Sequence, residues 1–377
     1  MSDCFSQQRI KAARVMVVGC GALGNEVLKN LVLMGIEHIV AVDFDIVEES
    51  NLTRSVLFRQ ADALARRKKA DVVSERLAEL NPSVQVAAIC GDAAYDVGLG
   101  LIRRMDVVVA CVDSRWARYC INRLCMRAGK PWVDGGIDGL EGTARVFRPG
   151  QNCYACSLGP EGLKALARRM PCSQTIRRME AEGSAPTTSV VASVIGAVQV
   201  QEALKLLHPE RLENGRLTSL CGKMFYYEGE HLSTRIVGFA AYDEECACHE
   251  CWEPVIGSPL TAQSRVRDVL AWLRDKSGDR HVCLHLTNDC FVDEVVRRAD
   301  DSRITVMRPG RQVAAFMDAD EDLRGCRLGD FYQNEYREVD ETFPYQDLTL
   351  AELGLPPMDV LHATSGQADY FVEMSEE

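Results

Sequence analysis

A glycine-rich turn between an apolar strand and an apolar helix limits what this chain can fold into more than any other feature. Residues 14–18 form a short apolar run typical of a buried strand, and residues 25–35 have apolar side chains at helical spacing. Glycines in such a turn permit close backbone approach to a phosphate, and the following helix supplies free N–H groups. In this context the motif predicts a nucleotide-binding fold. Its candidate phosphate-contacting residues are Gly19, Gly21, Ala22 and Gly24.

The pattern after this turn indicates the fold class. Short apolar strands alternate with amphipathic helices to about residue 136, which predicts an α/β fold with a doubly wound, mainly parallel, Rossmann-like sheet. Asp43 ends the second strand, 19 residues after Gly24, where a carboxylate can bind a pair of ribose hydroxyls. On these residues alone, NAD and ATP are equally favoured as the ligand.

A further set of polar residues, in a fixed order along the chain, distinguishes between the two nucleotides. The set comprises Asp45, Asn51, Arg54, Lys69, Asp113 and Ser114. Together with the glycine turn it resembles the ubiquitin-activating-enzyme superfamily, the ThiF/MoeB/HesA group, over residues 7–253. The resemblance implies an adenylyltransferase that uses ATP and Mg²⁺ to activate the C-terminal carboxylate of a small ubiquitin-like protein ending in glycine.

The chemistry of that reaction explains these residue types. A negatively charged polyphosphate must be held in line and its charge offset, so we expect Arg54 and Lys69 on the phosphates. Asn51 would add a neutral donor. Asp113, at the end of a strand, would hold Mg²⁺, and Asp43 would bind the ribose.

The start of the chain departs from the superfamily pattern. Members usually begin with an arginine-rich segment that reaches the ATP of a neighbouring subunit. This sequence starts almost where that segment would end, and Arg9 is a poor substitute. The resemblance therefore leaves a homodimer with shared active sites as an open expectation.

Two CxxC pairs predict a structural zinc site. The predicted ligands are Cys153, Cys156, Cys248 and Cys251, with Cys246 and His249 as alternates. Four thiolates suit tetrahedral Zn²⁺, and four protein ligands leave no open position for catalysis. Unmetallated or redox-active thiols are the alternative. Because no secretory signal is recognisable, the 16 cysteines are expected to be reduced and the protein cytoplasmic.

A nucleophilic thiol is expected in the polar, basic segment at about 160–186, which we interpret as a crossover loop. Cys172 lies there among several arginines, and positive charge favours the thiolate. Thioester-forming superfamily members place their cysteine in this region. The stretch that resembles their catalytic segment has Ser184 instead of a cysteine, so the role does not transfer position by position.

The net charge of −12 is concentrated near the C-terminus. Residues 316–377 carry 16 acidic side chains, three arginines and no lysine. We expect residues 1–255 to form the adenylation domain and residues 256–377 an acidic, smaller α+β domain with a ubiquitin-fold-like closing segment. The acidic domain could dock a conjugating enzyme through a basic helix, or be a plain solvated surface. Nucleic-acid and membrane partners are not expected.

The leading interpretation is an activating enzyme for a ubiquitin-like protein, with thioester formation on Cys172 and transfer to a conjugating enzyme. The bacterial ubiquitin-like conjugation systems linked to phage defence resemble this arrangement most. Three alternatives remain open: adenylylation of a sulfur carrier without conjugation, a non-catalytic scaffold, and an NAD-dependent enzyme.

Overall fold

The computed structural model describes residues 5–167, 188–324, 326–366 and 368–376. Contacts divide these residues into two compact units. The first unit contains residues 5–94, 102–163 and 188–251. The second contains residues 95–101, 164–167, 252–324, 326–366 and 368–376.

An eight-stranded sheet forms the centre of the first unit, in the spatial order β3-β2-β1-β4-β5-β6-β7-β8. The first five strands of that order are parallel, and β5 to β8 continue as antiparallel neighbours. This arrangement confirms the predicted α/β class with a mainly parallel sheet. The strands are β1 (Arg14–Val18), β2 (His38–Val42), β3 (Gln85–Ile89), β4 (Val107–Ala110), β5 (Trp132–Asp138), β6 (Glu141–Phe147), β7 (Lys223–Glu228) and β8 (Ser233–Gly238).

Helices lie before and between these strands along the chain. Within the described residues up to 251 they are α1 (Gln7–Ala12), α2 (Ala22–Met34), α3 (Gln60–Leu64), α4 (Lys69–Leu80), α5 (Leu99–Arg103), α6 (Arg115–Arg127), α7 (Gly159–Ala167), α8 (Ser189–Leu206) and α9 (Pro209–Glu213). Short 3₁₀ turns occur at Glu49–Asn51, Ala155–Ser157 and Ala247–His249.

Residues 187–207 have apolar side chains at helical spacing, and Ser189–Leu206 within this stretch forms the long helix α8, as the pattern predicts. Thr188 caps it, its hydroxyl accepting a hydrogen bond from Val191 N. Gly196 lets α8 approach α2 closely, because a Cβ there would lie 2.9 Å from the Cβ of Glu26. Length and composition alone would allow α8 to cross a membrane, but 56% of it is buried in the structure, as expected for a core helix.

The second unit has two sheets of its own. A five-stranded sheet has the order β14-β10-β15-β16-β9, and a three-stranded sheet has the order β12-β11-β13. Its elements are β9 (Val255–Gly257), α10 (Val266–Ser277), β10 (Val282–His285), β11 (Phe291–Arg297), β12 (Arg303–Pro309), α11 (Gly310–Ala319), a 3₁₀ turn (Leu328–Asp330), β13 (Phe331–Tyr336), β14 (Glu338–Val339), β15 (Val360–Ser365) and β16 (Ala368–Glu373).

The closing residues 347–374 have strand–turn–strand character in the sequence, and they contain the β15–β16 hairpin, which pairs Val360 with Glu373. Strand β16 also pairs in parallel with β9 at the edge of the sheet. Helix α10 contributes Val266, Val269 and Leu270 to the core of this sheet. The expectation of a ubiquitin-like fold for this segment stays a prediction.

Candidate functional site

The glycine turn lies where β1 ends and α2 begins, and two of its glycines are required by close packing. Gly19 has φ +92°, and a Cβ there would lie 2.5 Å from the carbonyl oxygen of Cys111. A Cβ on Gly24 would lie 1.9 Å from the carbonyl oxygen of Gly19. Gly21 differs, because a Cβ there would meet nothing within 4 Å. The open side of the turn is therefore at Gly21, where a ligand can approach the backbone.

Asp43 joins the end of β2 to this turn. Its carboxylate accepts hydrogen bonds from Cys20 N at 2.6 Å and from Asp45 N at 2.8 Å. Burial raises the pKa of Asp43 above its ordinary value, although Lys69 and these two N–H donors partly offset the effect. The acid predicted to bind ribose is thus fixed beside the turn.

Lys69 begins α4 and reaches the same place. Its Nζ lies 2.8 Å from Asp45 Oδ2, and the residue is only 8% exposed. Burial alone would lower the pKa of Lys69, but Asp43 and Asp45 more than offset it, so the pKa is raised. The structure therefore brings together a charged lysine, two carboxylates and the glycine turn. We call this place, with residues 19–24, 43–45, 69 and 111–114, the carboxyl edge.

Two more predicted residues lie in the segment between β2 and α4. Asn51 is buried, and its Oδ1 accepts a hydrogen bond from Glu48 N. The Arg54 guanidinium has no hydrogen bond or ion pair to any residue in the described ranges. Sequence reasoning missed Asn25, which is fully buried. It donates to Cys20 O at 2.7 Å and accepts from Leu57 N at 2.8 Å, thereby tying this segment to the glycine turn.

Asp113 and Ser114 follow β4 at the carboxyl edge. Asp113 is exposed, whereas the Ser114 hydroxyl caps α6 by accepting from Trp116 N and Ala117 N. The cap gives Ser114 a structural role that is sufficient without a nucleotide. Sequence reasoning also missed Arg118, whose side chain donates to Asp113 O at 3.1 Å.

A cysteine–histidine cluster lies elsewhere in the first unit, and it differs in part from the predicted zinc set. It consists of Cys153, Cys156, Cys246 and His249, whose ligand atoms all lie within 4.8 Å of one another. The Sγ of Cys153 lies 3.7 Å from that of Cys156 and 3.8 Å from that of Cys246. Four-coordinate zinc with Zn–S bonds of about 2.3 Å holds its sulfurs about 3.8 Å apart. The donor set and spacing therefore fit zinc.

The second predicted pair is placed differently. Cys248 shares a hydrogen bond with Tyr119 of α6, and Cys251 Sγ donates to Arg127 O at 3.7 Å. Their places in the cluster are taken by Cys246 and by His249, whose Nε2 lies 3.2 Å from Cys156 Sγ. The reason is local backbone geometry: side chains three residues apart lie on the same side of a 3₁₀ turn, so the turn at Ala247–His249 places Cys246 and His249 together. The alternates named from the sequence, and not Cys248 and Cys251, complete the cluster.

Burial shifts the pKa values of side chains in this cluster. It raises the pKa of Cys153 to about 12 and the pKa of Cys246 to about 11. It also lowers the pKa of His249, which keeps the imidazole neutral and able to bind a cation. Metal binding would release the thiol protons, so metal affinity is expected to fall as pH falls.

Sequence comparison identifies the family. The ThiF family matches residues 3–248. The chain belongs to the ThiF family. Adenylyltransferase and sulfurtransferase MOCS3 of Mus musculus is 34% identical over 224 residues, covering 59% of this chain and 44% of that relative. SAMP-activating enzyme E1 of Haloferax volcanii is 30% identical over 244 residues, covering 65% of this chain and 83% of that relative.

Other relatives extend the comparison. Sulfur carrier protein ThiS adenylyltransferase of Escherichia coli is 31% identical over 226 residues, covering 58% of this chain and 81% of that relative. Among solved structures, MccB of E. coli with succinimide has a TM-score of 0.51 at 22% identity, covering 64% of this chain and 67% of that one. This likeness concerns the fold alone. The chain spans less than half the length of the MOCS3 relatives it matches.

Two further residues singled out by the superfamily resemblance are Arg9 and Cys172. Arg9 is engaged within its own chain, donating to Leu207 O at 3.2 Å and pairing with Glu210 Oε2 at 2.5 Å. Cys172, the candidate thioester cysteine, and Ser184 lie outside the described residues, so their roles stay predictions.

Proposed function

We propose that this chain uses ATP to adenylylate the C-terminal carboxylate of a small ubiquitin-like or sulfur-carrier protein. The names of its relatives support an activating role of this kind, including a SAMP-activating enzyme and a ThiS adenylyltransferase. The observation that carries the proposal is the ion pair of Lys69 with Asp45 beside Asp43 and the glycine turn. This arrangement provides a cation, an acid that can bind ribose and a backbone turn that can receive phosphates, all in one place.

Each residue then has a definite task. The open backbone at Gly21 receives the phosphates, while Lys69 and Arg54 offset the charge that develops as pyrophosphate leaves. Asp43 binds the ribose hydroxyls. Asp113 would hold Mg²⁺, which would neutralise part of the charge on the phosphates. The carrier's carboxylate oxygen attacks the α-phosphorus, and the bond to the pyrophosphate oxygen breaks.

Pyrophosphate exchange tests this proposal directly. Radiolabelled pyrophosphate should enter ATP only when the protein is mixed with a carrier that has a free C-terminal glycine carboxylate. The same carrier with an amidated C-terminus is the matched control, because it lacks only the nucleophile. Exchange that is equal with both carriers, or absent with every ubiquitin-like and sulfur-carrier protein encoded nearby in the same genome, would contradict the proposal.

A narrower step, thioester formation on Cys172 followed by transfer to a conjugating enzyme, forms the second part of the proposal. The acidic residues 316–377 support it as a docking surface for a basic partner. The alternative, in which the adenylate is sulfurated directly, is supported by the sulfur-carrier adenylyltransferase among the relatives. The two differ in whether the chain itself becomes acylated.

A non-reducing gel separates these outcomes. With ATP and carrier, a thiol-sensitive adduct should form in the wild type and in Cys90→Ala, which removes an exposed thiol, but not in Cys172→Ala. An adduct that persists in Cys172→Ala would remove this residue from the mechanism. Pyrophosphate exchange without any adduct would favour the sulfur-carrier reaction.

A further inference from the structure

A buried charge network lies between β5, β6 and α6 of the first unit. Asp134 on β5 is fully buried, and both of its oxygens are paired. Arg118 Nε donates to Oδ1 at 2.8 Å, and Arg145 Nε donates to Oδ2 at 3.0 Å. Removing one partner from such a group leaves an uncompensated charge, so the three side chains hold one another in a fixed arrangement.

One end of this network fixes the loop that carries Asp113. The Arg118 guanidinium donates to Val112 O at 2.5 Å, to Asp113 O at 3.1 Å and to Gly135 O at 3.0 Å. The Asp113 carboxylate itself has no hydrogen bond or ion pair to the described part of the chain. The position of Asp113 therefore depends on its backbone, and Arg118 is what holds that backbone to β5.

The other end of the network reaches the metal cluster. The Arg145 guanidinium lies 5.4 Å from the ring centroid of Tyr154, which is placed between the two ligands Cys153 and Cys156. Tyr154 N in turn donates to Asn122 Oδ1 at 3.0 Å. The chain of contacts therefore runs without interruption from the first ligand pair to the charge network.

Helix α6 provides a second, parallel connection. Ser114 caps its N-terminus at the carboxyl edge, and Arg118 and Asn122 follow one turn apart. Its middle packs against the 3₁₀ turn at Ala247–His249, which carries the ligand His249. The same helix thus begins at the carboxyl edge and contacts the metal cluster.

We propose that metal occupancy of the cysteine–histidine cluster fixes Asp113 in its place, acting through Tyr154, Arg145, Asp134 and Arg118. Arg118 and Asp134 are then positioning residues for the carboxyl edge, and the metal has a role beyond closure of the fold. The inference rests on the proposed function in taking Asp113 as a residue that binds the nucleotide complex. Because coupling between two sites is reciprocal, nucleotide binding must tighten metal binding by the same factor.

The test uses the full chain, loaded with zinc or stripped by a chelator that is then removed by gel filtration. Calorimetry measures the Kd for a non-hydrolysable ATP analogue with Mg²⁺. We expect metal removal to raise this Kd by about fivefold or more, which is the usual lower range for coupled sites. The analogue should tighten zinc binding, measured against a chromophoric chelator, by the same factor.

Variants separate this coupling from general loss of stability. Arg145→Lys keeps the charge but loses the paired hydrogen bonds that Arg145 Nε and Nη2 donate to Asp134 Oδ2. The effect of zinc on the Kd for the ATP analogue should therefore shrink while the metal stays bound. Asp134→Asn should abolish the effect if it folds. Glu202→Gln is the matched control: Glu202 is a buried carboxylate of the same unit that accepts from Leu220 N and Lys205, remote from α6. It should leave the zinc effect unchanged.

The outcomes distinguish the two levels of the argument. A wild-type chain that binds no ATP analogue, with or without zinc, overturns the proposed function and this inference with it. A chain that binds the analogue equally well in both metal states overturns the inference alone. A zinc effect that is unchanged in Arg145→Lys, or reduced equally in Glu202→Gln, also overturns it, because the named network would then not carry the coupling.

Discussion

Charged groups near the carboxyl edge and in the interior of the second unit differ in whether they have hydrogen-bond or ion-pair partners. The Asp113 carboxylate at the edge, and the Arg54 guanidinium in the segment between β2 and α4, have no hydrogen bond or ion pair within the described ranges. In the second unit, the buried carboxylate of Asp293 accepts hydrogen bonds from three partners at 2.9–3.0 Å, namely Asn334 Nδ2, Tyr336 OH and Tyr345 OH. One set of groups is left for a ligand to complete, and the other is complete already.

This difference distinguishes a candidate ligand-binding site from a structural polar cluster in the same molecule. A buried polar group costs stability unless its hydrogen bonds are made, so a satisfied cluster such as that of Asp293 needs no ligand. A charged group that pairs with no other side chain can instead bind a ligand, as Asp113 can at the carboxyl edge. We therefore expect changes at the carboxyl edge to affect the reaction, and changes around Asp293 to affect folding.

Lys69, which pairs with Asp45 at the carboxyl edge, should show the largest effect on the reaction. Lys69→Met should reduce carrier-dependent pyrophosphate exchange by about 100-fold or more, because a cation aimed at the phosphates is lost from a water-poor site. Lys69→Arg keeps the charge and should recover part of the rate. Exchange kinetics give the rates, and circular dichroism checks that both variants fold. Activity of Lys69→Met within fivefold of wild type would contradict a role of the carboxyl edge in the reaction.

The cysteine–histidine cluster provides the next test, because its four donor groups would be brought together by binding a metal ion. His249→Ala should weaken zinc binding by about 100-fold or more. A residue that binds the metal directly contributes at least as much to affinity as one that only hydrogen-bonds to a ligand. Cys251→Ala should leave zinc binding unchanged, because its Sγ contacts Arg127 O instead. Competition with a chromophoric chelator measures both affinities. If Cys251→Ala lost the metal while His249→Ala kept it, the ligand set expected from the two CxxC pairs would be restored.

Asp293 provides the converse case. Asp293→Ala leaves the amide of Asn334 and the hydroxyls of Tyr336 and Tyr345 without their acceptor, and should lower the free energy of unfolding by about 2–3 kcal/mol. Tyr345→Phe removes one bond only and should cost about 1 kcal/mol. Urea denaturation measures both changes. Pyrophosphate exchange at a temperature where the variants are folded should stay at the wild-type rate, and a loss there would assign Asp293 to function.

The sequence predicted those parts of the molecule that depend on local pattern. The strand–glycine turn–helix, the Thr188 cap of α8 and the β15–β16 hairpin follow from spacing and residue type within short windows. The metal ligands could be predicted only in part, because Cys246, Cys248, His249 and Cys251 crowd into six positions and spacing cannot say which side of a 3₁₀ turn each one faces.

Pairings between distant segments could not be predicted at all. Arg118 and Asp134 looked like an ordinary helix residue and an ordinary strand residue, and their ion pair exists only because α6 packs beside β5. The same holds for Asn25, which contacts both the glycine turn and Leu57. Single-sequence patterns carry no information on such contacts, because the residues are polar and their partners lie on other elements.

His285 gives the smallest expected effect and tests how complete the polar pairing of the second unit is. Burial, with His362 beside it, lowers the pKa of His285 below its ordinary value, while Glu338 and Asp369 oppose the shift. A histidine whose pKa is lower in the folded state resists protonation there. Its contribution to stability is therefore present above about pH 6.5, the ordinary value in an unfolded chain, and is lost as pH falls through the lower folded value.

We accordingly expect the free energy of unfolding of wild type to decrease, by less than about 1 kcal/mol from this residue, as pH falls below about 6.5. His285→Gln keeps a polar group able to contact Thr364, which lies 2.9 Å from His285 Nε2, and should flatten that part of the profile. Urea denaturation at a series of pH values measures the difference between the two profiles. If the two stability profiles stay parallel, the His285 imidazole is solvated in both the folded and the unfolded state. Its polar contacts would then be less fully made than those of Asp293.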